Sequence, residues 1–285
     1  MNLQNIISEI EKADPEVYNK LDTRRNAMKG FASFSGKLAL AAIPVAFGSM
    51  FKKAYGGNTD AIGDVLNFAL TLEYLESSFY NMGSTTPGLI PSDSLGSIGA
   101  FQEITKDENE HVAFLQAAIK SLGQTPVSKP AFDFTAKGTF PTVFANYDVF
   151  LAVSQTFEDT GVRAYKGQAP NLMTAPAILT AALQIHSVEA RHASRVRKLR
   201  HDRNGATVSG TVKPWITGNM SGIDAGSANA AIQKSYNGEE NTNQAGVNIV
   251  SIGGYTYIDA NAASEAFDEP LTKAQVIDIV TPFFA

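Results

Sequence analysis

The sequence predicts an all-α protein built on a four-helix bundle with one long crossover, and three observations lead there. Four stretches carry apolar residues at alternating spacings of three and four, the stripe that a helix turns toward a bundle core. The links between the first and second stretches and between the third and fourth are short, which makes antiparallel neighbours, while the middle link is long. Each stripe is broken near its centre by a carboxylate, twice with an imidazole beside it, where the pattern calls for hydrocarbon.

Taken in order, Gly56 and Gly57 break the chain ahead of the first helix, which Asn58, Thr59 or Asp60 can cap. Its stripe is Ile62, Leu66, Ala69, Glu73 and Tyr80, and it should end near Met82 with Gly83 just beyond. A loop rich in Ser, Thr, Pro and Gly leads to a second helix over residues 98–122, striped by Phe101, Ile104, Glu108, His111, Leu115, Ala118 and Leu122 and closed by Gly123. Pro126, Pro130 and Pro141, with Phe132 and Phe134 between them, make residues 124–141 an extended connection long enough to cross the bundle. The third helix is expected over 142–166, with Tyr147, Leu151, Ser154, Glu158 and Tyr165 on its stripe. A loop containing Pro170 precedes the fourth, over 174–203, striped by Ile178, Ala182, Ile185, Glu189, His192, Val196 and Leu199.

Three segments follow from this pattern: residues 1–57, the bundle at 58–203, and a loop-rich extension at 204–285 that packs on the bundle and ends in a helix. Within the extension, a short helix is expected over 225–235, some β character over 247–258, and one helix or two short ones over 264–284. Trp215, the single tryptophan, is expected to anchor this region on the bundle.

The 285 residues are 44% hydrophobic with a formal net charge of −5, the composition of a soluble globular chain. No Lys/Arg block is long enough to bind nucleic acid. The run Arg191, Arg195, Arg197, Lys198, Arg200 and Arg203 falls in the last turns of the fourth helix, where cations suit the helix dipole, and is expected to face solvent. The chain has no cysteine, which excludes disulfides, iron–sulfur clusters and thiol catalysis and leaves oxygen and nitrogen as metal ligands.

Residues 1–22 are polar and acidic, and the run Thr23-Arg24-Arg25-Asn26-Ala27-Met28-Lys29 precedes small and apolar residues up to Phe51. This resembles a twin-arginine export signal, departing from it at Ala27, where aromatic Phe is preferred. The apolar core over residues 38–51 suits a signal's central region and is short for a membrane span. The resemblance implies a periplasmic or otherwise exported protein, with transient contact to the membrane export machinery through residues 23–51. The alternative is a buried N-terminal helix of a cytoplasmic protein, which the early acidic residues and Lys37 favour.

The chemistry sits on the stripes. Glu108/His111 and Glu189/His192 are Glu-x-x-His pairs, which place both side chains on one helical face one turn apart, suited to two ligands of one metal. Glu73 and Glu158 each precede such a pair by one helix–loop–helix distance. Four carboxylates and two imidazoles can hold two metal ions and leave positions open for dioxygen or hydrogen peroxide. Around them, Glu76 is a further ligand or a rim charge. Asp107 is placed to accept the other ring proton of His192. Tyr80, Tyr147 and Tyr165 either donate to the site or fill the core, and His186 and His201 are ordinary polar residues.

The series Glu73, Glu108-x-x-His111, Glu158, Glu189-x-x-His192 resembles the ferritin-like superfamily of dinuclear carboxylate proteins, in particular bacterial ferritin-like domain proteins related to plant desiccation-related proteins. The resemblance covers residues 58–203. It implies a ferritin-like bundle in which Glu73 and Glu158 are terminal ligands, Glu108 and Glu189 bridge, and His111 and His192 each complete one ion. It further implies two iron ions, or manganese in their place, reacting with O2 or H2O2 as a ferroxidase or peroxidase in iron handling or oxidative stress. Two alternatives stand beside this: a non-enzymatic metal-binding stress or desiccation protein, and a manganese catalase-like enzyme. An oligomer is compatible with the sequence, but the long C-terminal extension argues against a storage cage. The lack of cysteine argues against a rubrerythrin-type electron chain.

Overall fold

The structure is a computed structural model that describes residues 59–285. The first segment, 1–57, with its export-signal-like stretch, lies outside the described residues. Four long helices follow in order: α1 (Thr59–Thr85), α2 (Ser97–Ser121), α3 (Tyr147–Gln168) and α4 (Pro176–Arg203). α1 packs chiefly on α2 and α3 on α4, so the bundle is two hairpins joined by the long connection from Leu122 to Asn146. Among the described residues the all-α four-helix arrangement, with one long crossover and a C-terminal extension, is therefore what the chain adopts.

Local chemistry sets the helix ends. Gly123 takes the left-handed conformation at φ 78°, and its N–H reaches Lys120 O at 2.9 Å, closing α2 where a glycine stop was expected. Gly83 does something else: α1 runs through it to Thr85. A Cβ at Gly83 would lie 2.4 Å from the Phe150 ring, so this glycine permits close approach of α3 and does not end the helix. α3 starts later than the expected 142. Residues before it turn instead, Phe140 stacks on Phe283 with centroids 6.0 Å apart, and the Asn146 side chain caps Asp148 N at 2.9 Å.

α3 is buried on nearly every side, although its outer face is polar. The extension explains this. It contributes short helices α5 (Asn229–Gln233), α6 (Ala260–Ser264) and α7 (Lys273–Val280), and an antiparallel pair β1 (Asn243–Gln244) and β2 (Val247–Asn248) with Gln244 opposite Val247. Arg163 on α3 donates to Ser235 O at 2.6 Å, Asn237 O at 2.9 Å and Glu269 O at 2.7 Å, and pairs with Glu239 at 2.6 Å. At Gly167 a Cβ would collide with Leu271 O at 1.9 Å, so the extension's backbone lies directly on the helix. The crossover is tied down as well: Asp133 N donates to Phe283 O at 2.8 Å.

Trp215 is 51% exposed, yet it borders a cavity with Val162, Ala193 and Arg197 of the bundle beside the buried Ile216, so both residues meet the bundle here. One expectation is corrected: the basic run on α4 is not a solvated face throughout. Arg197 and Arg200 are buried, because the extension covers that side. Arg197 forks onto Asp159 at 2.5 and 3.0 Å, and Tyr236 Oη donates to the same carboxylate at 2.7 Å. Arg200 donates to Gln155, Thr207 O and Gly222 O. Dipole complementarity is satisfied by an exposed or a buried arginine, and only the chain folded over it decides which.

Removing one partner of a buried ion pair strands the other charge. Arg163→Ala is therefore expected to cost about 3–5 kcal/mol of stability, measured by denaturant unfolding. Limited proteolysis should cut first within residues 204–285.

Candidate metal centre

The stripes deliver their polar members to one place. Glu73, Glu108, Glu158 and Glu189 are completely buried, and His111 and His192 are 9% and 6% exposed. All six expected residues converge in the bundle interior. They form two groups of ligating atoms, Glu73/Glu108/Glu189/His111 and Glu108/Glu158/Glu189/His192, and the atoms of each group lie within 4.8 Å of one another.

The geometry separates the oxygens. His111 Nδ1 faces Glu73 Oε2 at 3.2 Å, Glu108 Oε2 at 3.1 Å and Glu189 Oε1 at 3.2 Å. His192 Nδ1 faces Glu108 Oε1 at 2.8 Å, Glu158 Oε2 at 3.4 Å and Glu189 Oε2 at 3.8 Å. Glu108 and Glu189 thus give one oxygen to each group, while Glu73 and Glu158 serve one group each. An imidazole nitrogen carries at most one proton and cannot satisfy three carboxylates. Glu108 Oε1, Glu158 Oε2, both Glu189 oxygens and His192 Nδ1 lack any hydrogen bond. Atoms that approach to 2.8 Å without hydrogen-bond alignment present their lone pairs to a common space. Oxygen and nitrogen lone pairs converging in a dry interior are what a hard or borderline cation requires.

Two tyrosines hold the terminal carboxylates, crosswise. Tyr80 of α1 donates to Glu158 Oε1 on α3, and Tyr165 of α3 donates to Glu73 Oε1 on α1. Each bond leaves the carboxylate's Oε2 facing the centre. The signal for this was in the sequence: both helices repeat Glu and Tyr seven residues apart, two turns on one face. Tyr147 does not take part, and the Arg203 guanidinium lies over its ring at 5.1 Å. Asp107 Oδ2 lies 3.2 Å from His192 Nε2, which leaves Nδ1 as the nitrogen free to ligate. His186 bonds the Val162 carbonyl through Nδ1 at 3.0 Å, and His201 is exposed.

Glu76 is the residue the six-member set left out. It is 4% exposed and lies against Gly161, where a Cβ would sit 3.2 Å from Glu76 Oε1 and 3.7 Å from Glu189 Oε2. Gly161 follows Glu158 by three, as Glu76 follows Glu73. One hairpin supplies a carboxylate and the other supplies the room for it.

Burial raises Glu76 well above the usual carboxylate range, and the charges of Glu189, Glu108, Glu158 and Glu73 add to the effect. Burial likewise raises Glu108, with Glu189 adding to it against the two imidazoles, and takes Glu158 to about 7 against the pull of His192. Glu189 goes the other way: burial pushes it up, but the nearby His111 and His192 imidazoles outweigh that and hold it at about 2. Burial also disfavours the charged imidazoles, but their carboxylate neighbours more than offset it and raise both.

These directions set a pH dependence for the metal-free protein. Glu158, raised from 4.5 to about 7, contributes less stability as pH climbs through that interval, and Glu76 and Glu108 act in the same sense. The imidazoles stabilise fully below 6.5 and lose that contribution as pH rises above it. Glu189 stabilises above 4.5 and loses its contribution as pH falls toward about 2. Melting in chelator should therefore show Tm falling between about pH 5 and pH 8. With Mn2+ present the trend over that range should reverse, since ligation takes deprotonated carboxylates and neutral imidazoles.

Compared with known proteins, residues 62–202 match the sequence model of the ferritin-like domain. No curated protein matches the chain at a significant level. With buried carboxylate and histidine groups that could bind a metal set on four bundle helices, the chain belongs to the ferritin-like superfamily through this domain.

Proposed function

We propose that this bundle holds two metal ions, iron in the first instance, and reacts with O2 or H2O2 as a ferroxidase- or peroxidase-type protein. The observation that carries the reading is the division of oxygens, with Glu108 and Glu189 each facing both groups and Glu73 and Glu158 facing one. Glu73 and His111 would complete one ion, and Glu158 and His192 the other. Ferrous ions so held would supply one electron each, enough with two protons to take hydrogen peroxide to two waters or dioxygen to hydrogen peroxide.

The chain's own residues do the positioning. Tyr80 and Tyr165 pin one oxygen of Glu158 and Glu73, so each terminal carboxylate offers the centre a single oxygen. Asp107 fixes the ring of His192. Glu76, whose carboxyl burial pushes well above the usual range, stands beside Glu189 and would add a carboxylate to the centre when cations arrive. The surrounding aromatic rings of Phe79, Phe101, Phe150 and Phe157 keep water from one side of the cluster. Manganese fits the same hard donors, and a manganese catalase-like activity is the second reading.

Elemental analysis with an oxidant-consumption assay tests the proposal. About two iron or manganese ions per chain with turnover of O2 or H2O2 is the expected result. Tightly held metal that neither oxidant changes would sink it in favour of a structural metal protein. Glu189→Ala should strip most bound metal, and exposed Glu110→Ala should strip none. Asp107→Asn should weaken metal binding by about 10–100-fold.

A further inference from the structure

Beyond the donor atoms, the bundle interior is packed differently on its two sides. Toward the α1–α2 loop the space is filled by the rings of Phe79, Phe101 and Phe150. On the opposite side lies a cavity of about 20 Å³, bounded by all four bundle helices. Every side chain lining it except Tyr165 and Gln168 is hydrocarbon. The room exists because alanines stand at Ala69, Ala118 and Ala182, stripe positions on three helices where a leucine would fill it.

We infer that this cavity is a seat for molecular oxygen on its way to the metal centre. The inference rests on the proposed dinuclear site and names its oxidant. Position is the first argument. Leu72 immediately precedes Glu73, Leu115 lies one turn beyond His111, and Ile185 lies one turn before Glu189. Tyr165 both lines the cavity and holds Glu73 Oε1, so the seat adjoins the Glu73/His111 group.

Size is the second argument. The cavity, at about 20 Å³, has room for a molecule as small as dioxygen. Chemistry is the third. Hydrogen peroxide and water enter such a lining with their hydrogen bonds unmade, whereas dioxygen has none to lose. Apolar cavities of this kind stay dry and take up apolar gases. An entry side is also visible: Val65 on α1 and Phe114 on α2 are the two lining residues that are not buried.

Xenon-pressurised crystals of the metal-free full chain, together with stopped-flow oxidation of the ferrous-loaded protein, test the inference. A xenon peak is expected between Ala118 and Ala182. The filling variants Ala118→Leu and Ala182→Leu, each checked for native melting, should lose it. Their oxidation by dissolved O2 should slow about tenfold while oxidation by H2O2 stays within about twofold. The two variants act from different helices, so one that fails to fold leaves the other to decide. No xenon peak in the parent, or equal slowing with both oxidants, overturns the oxygen seat while the metal site stands. A parent that binds xenon but, loaded with iron, reacts with neither oxidant overturns the functional reading and the oxygen assignment together.

Discussion

Charge buried in a dry interior is the constraint on which this structure depends. Five carboxyl groups and two imidazoles sit where hydrocarbon would be cheapest, and an isolated buried charge costs several kcal/mol or more. The protein manages the cost by proximity. Each imidazole faces three carboxylates, and two tyrosine hydroxyls absorb the oxygens that point away from the centre. Burial raises Glu76, Glu108 and Glu158, and the neighbouring carboxylates add to the effect. Cations, if bound as proposed, would complete the balance, and the donor atoms of each group already lie close together.

The two hairpins repeat one another, and the departures from the repeat are informative. Glu73 and Tyr80 on α1 correspond to Glu158 and Tyr165 on α3, and Glu108/His111 on α2 to Glu189/His192 on α4. The tyrosines cross between hairpins, so each half fixes the Glu73 or Glu158 carboxylate of the other. Symmetry breaks at Glu76 against Gly161, and the Asp107–His192 contact orients one imidazole from the opposite hairpin. The two groups of donors therefore differ in their surroundings although both share Glu108 and Glu189.

The extension is structural support for the half that needs it. α3 carries Gln155, Asp159 and Arg163 on its outer face, a polarity that open solvent would satisfy without further packing. Here the extension satisfies it instead, through backbone carbonyls to Arg163 and the Asp159–Arg197–Tyr236 cluster. The helix bearing Glu158 and Tyr165 is held from both sides as a result, which suits a ligand that must keep its geometry.

The amino-acid sequence by itself determined the four helices, the long crossover and the six inward-facing carboxylate and imidazole side chains, because a helix repeats every 3.6 residues and a stripe reveals its interior face locally. Even Asp107 was legible, as a carboxylate adjoining a stripe position. What the tertiary structure alone decided are relations across long chain separations. The late start of α3 comes from Phe140 meeting Phe283, and the close approach at Gly83 comes from Phe150. The burial of Arg197 and Arg200 comes from an extension whose own sequence shows little periodicity. A local pattern tells which side of a helix is apolar. What covers its polar side depends on the path of the chain, and spacing along the sequence carries no record of that path.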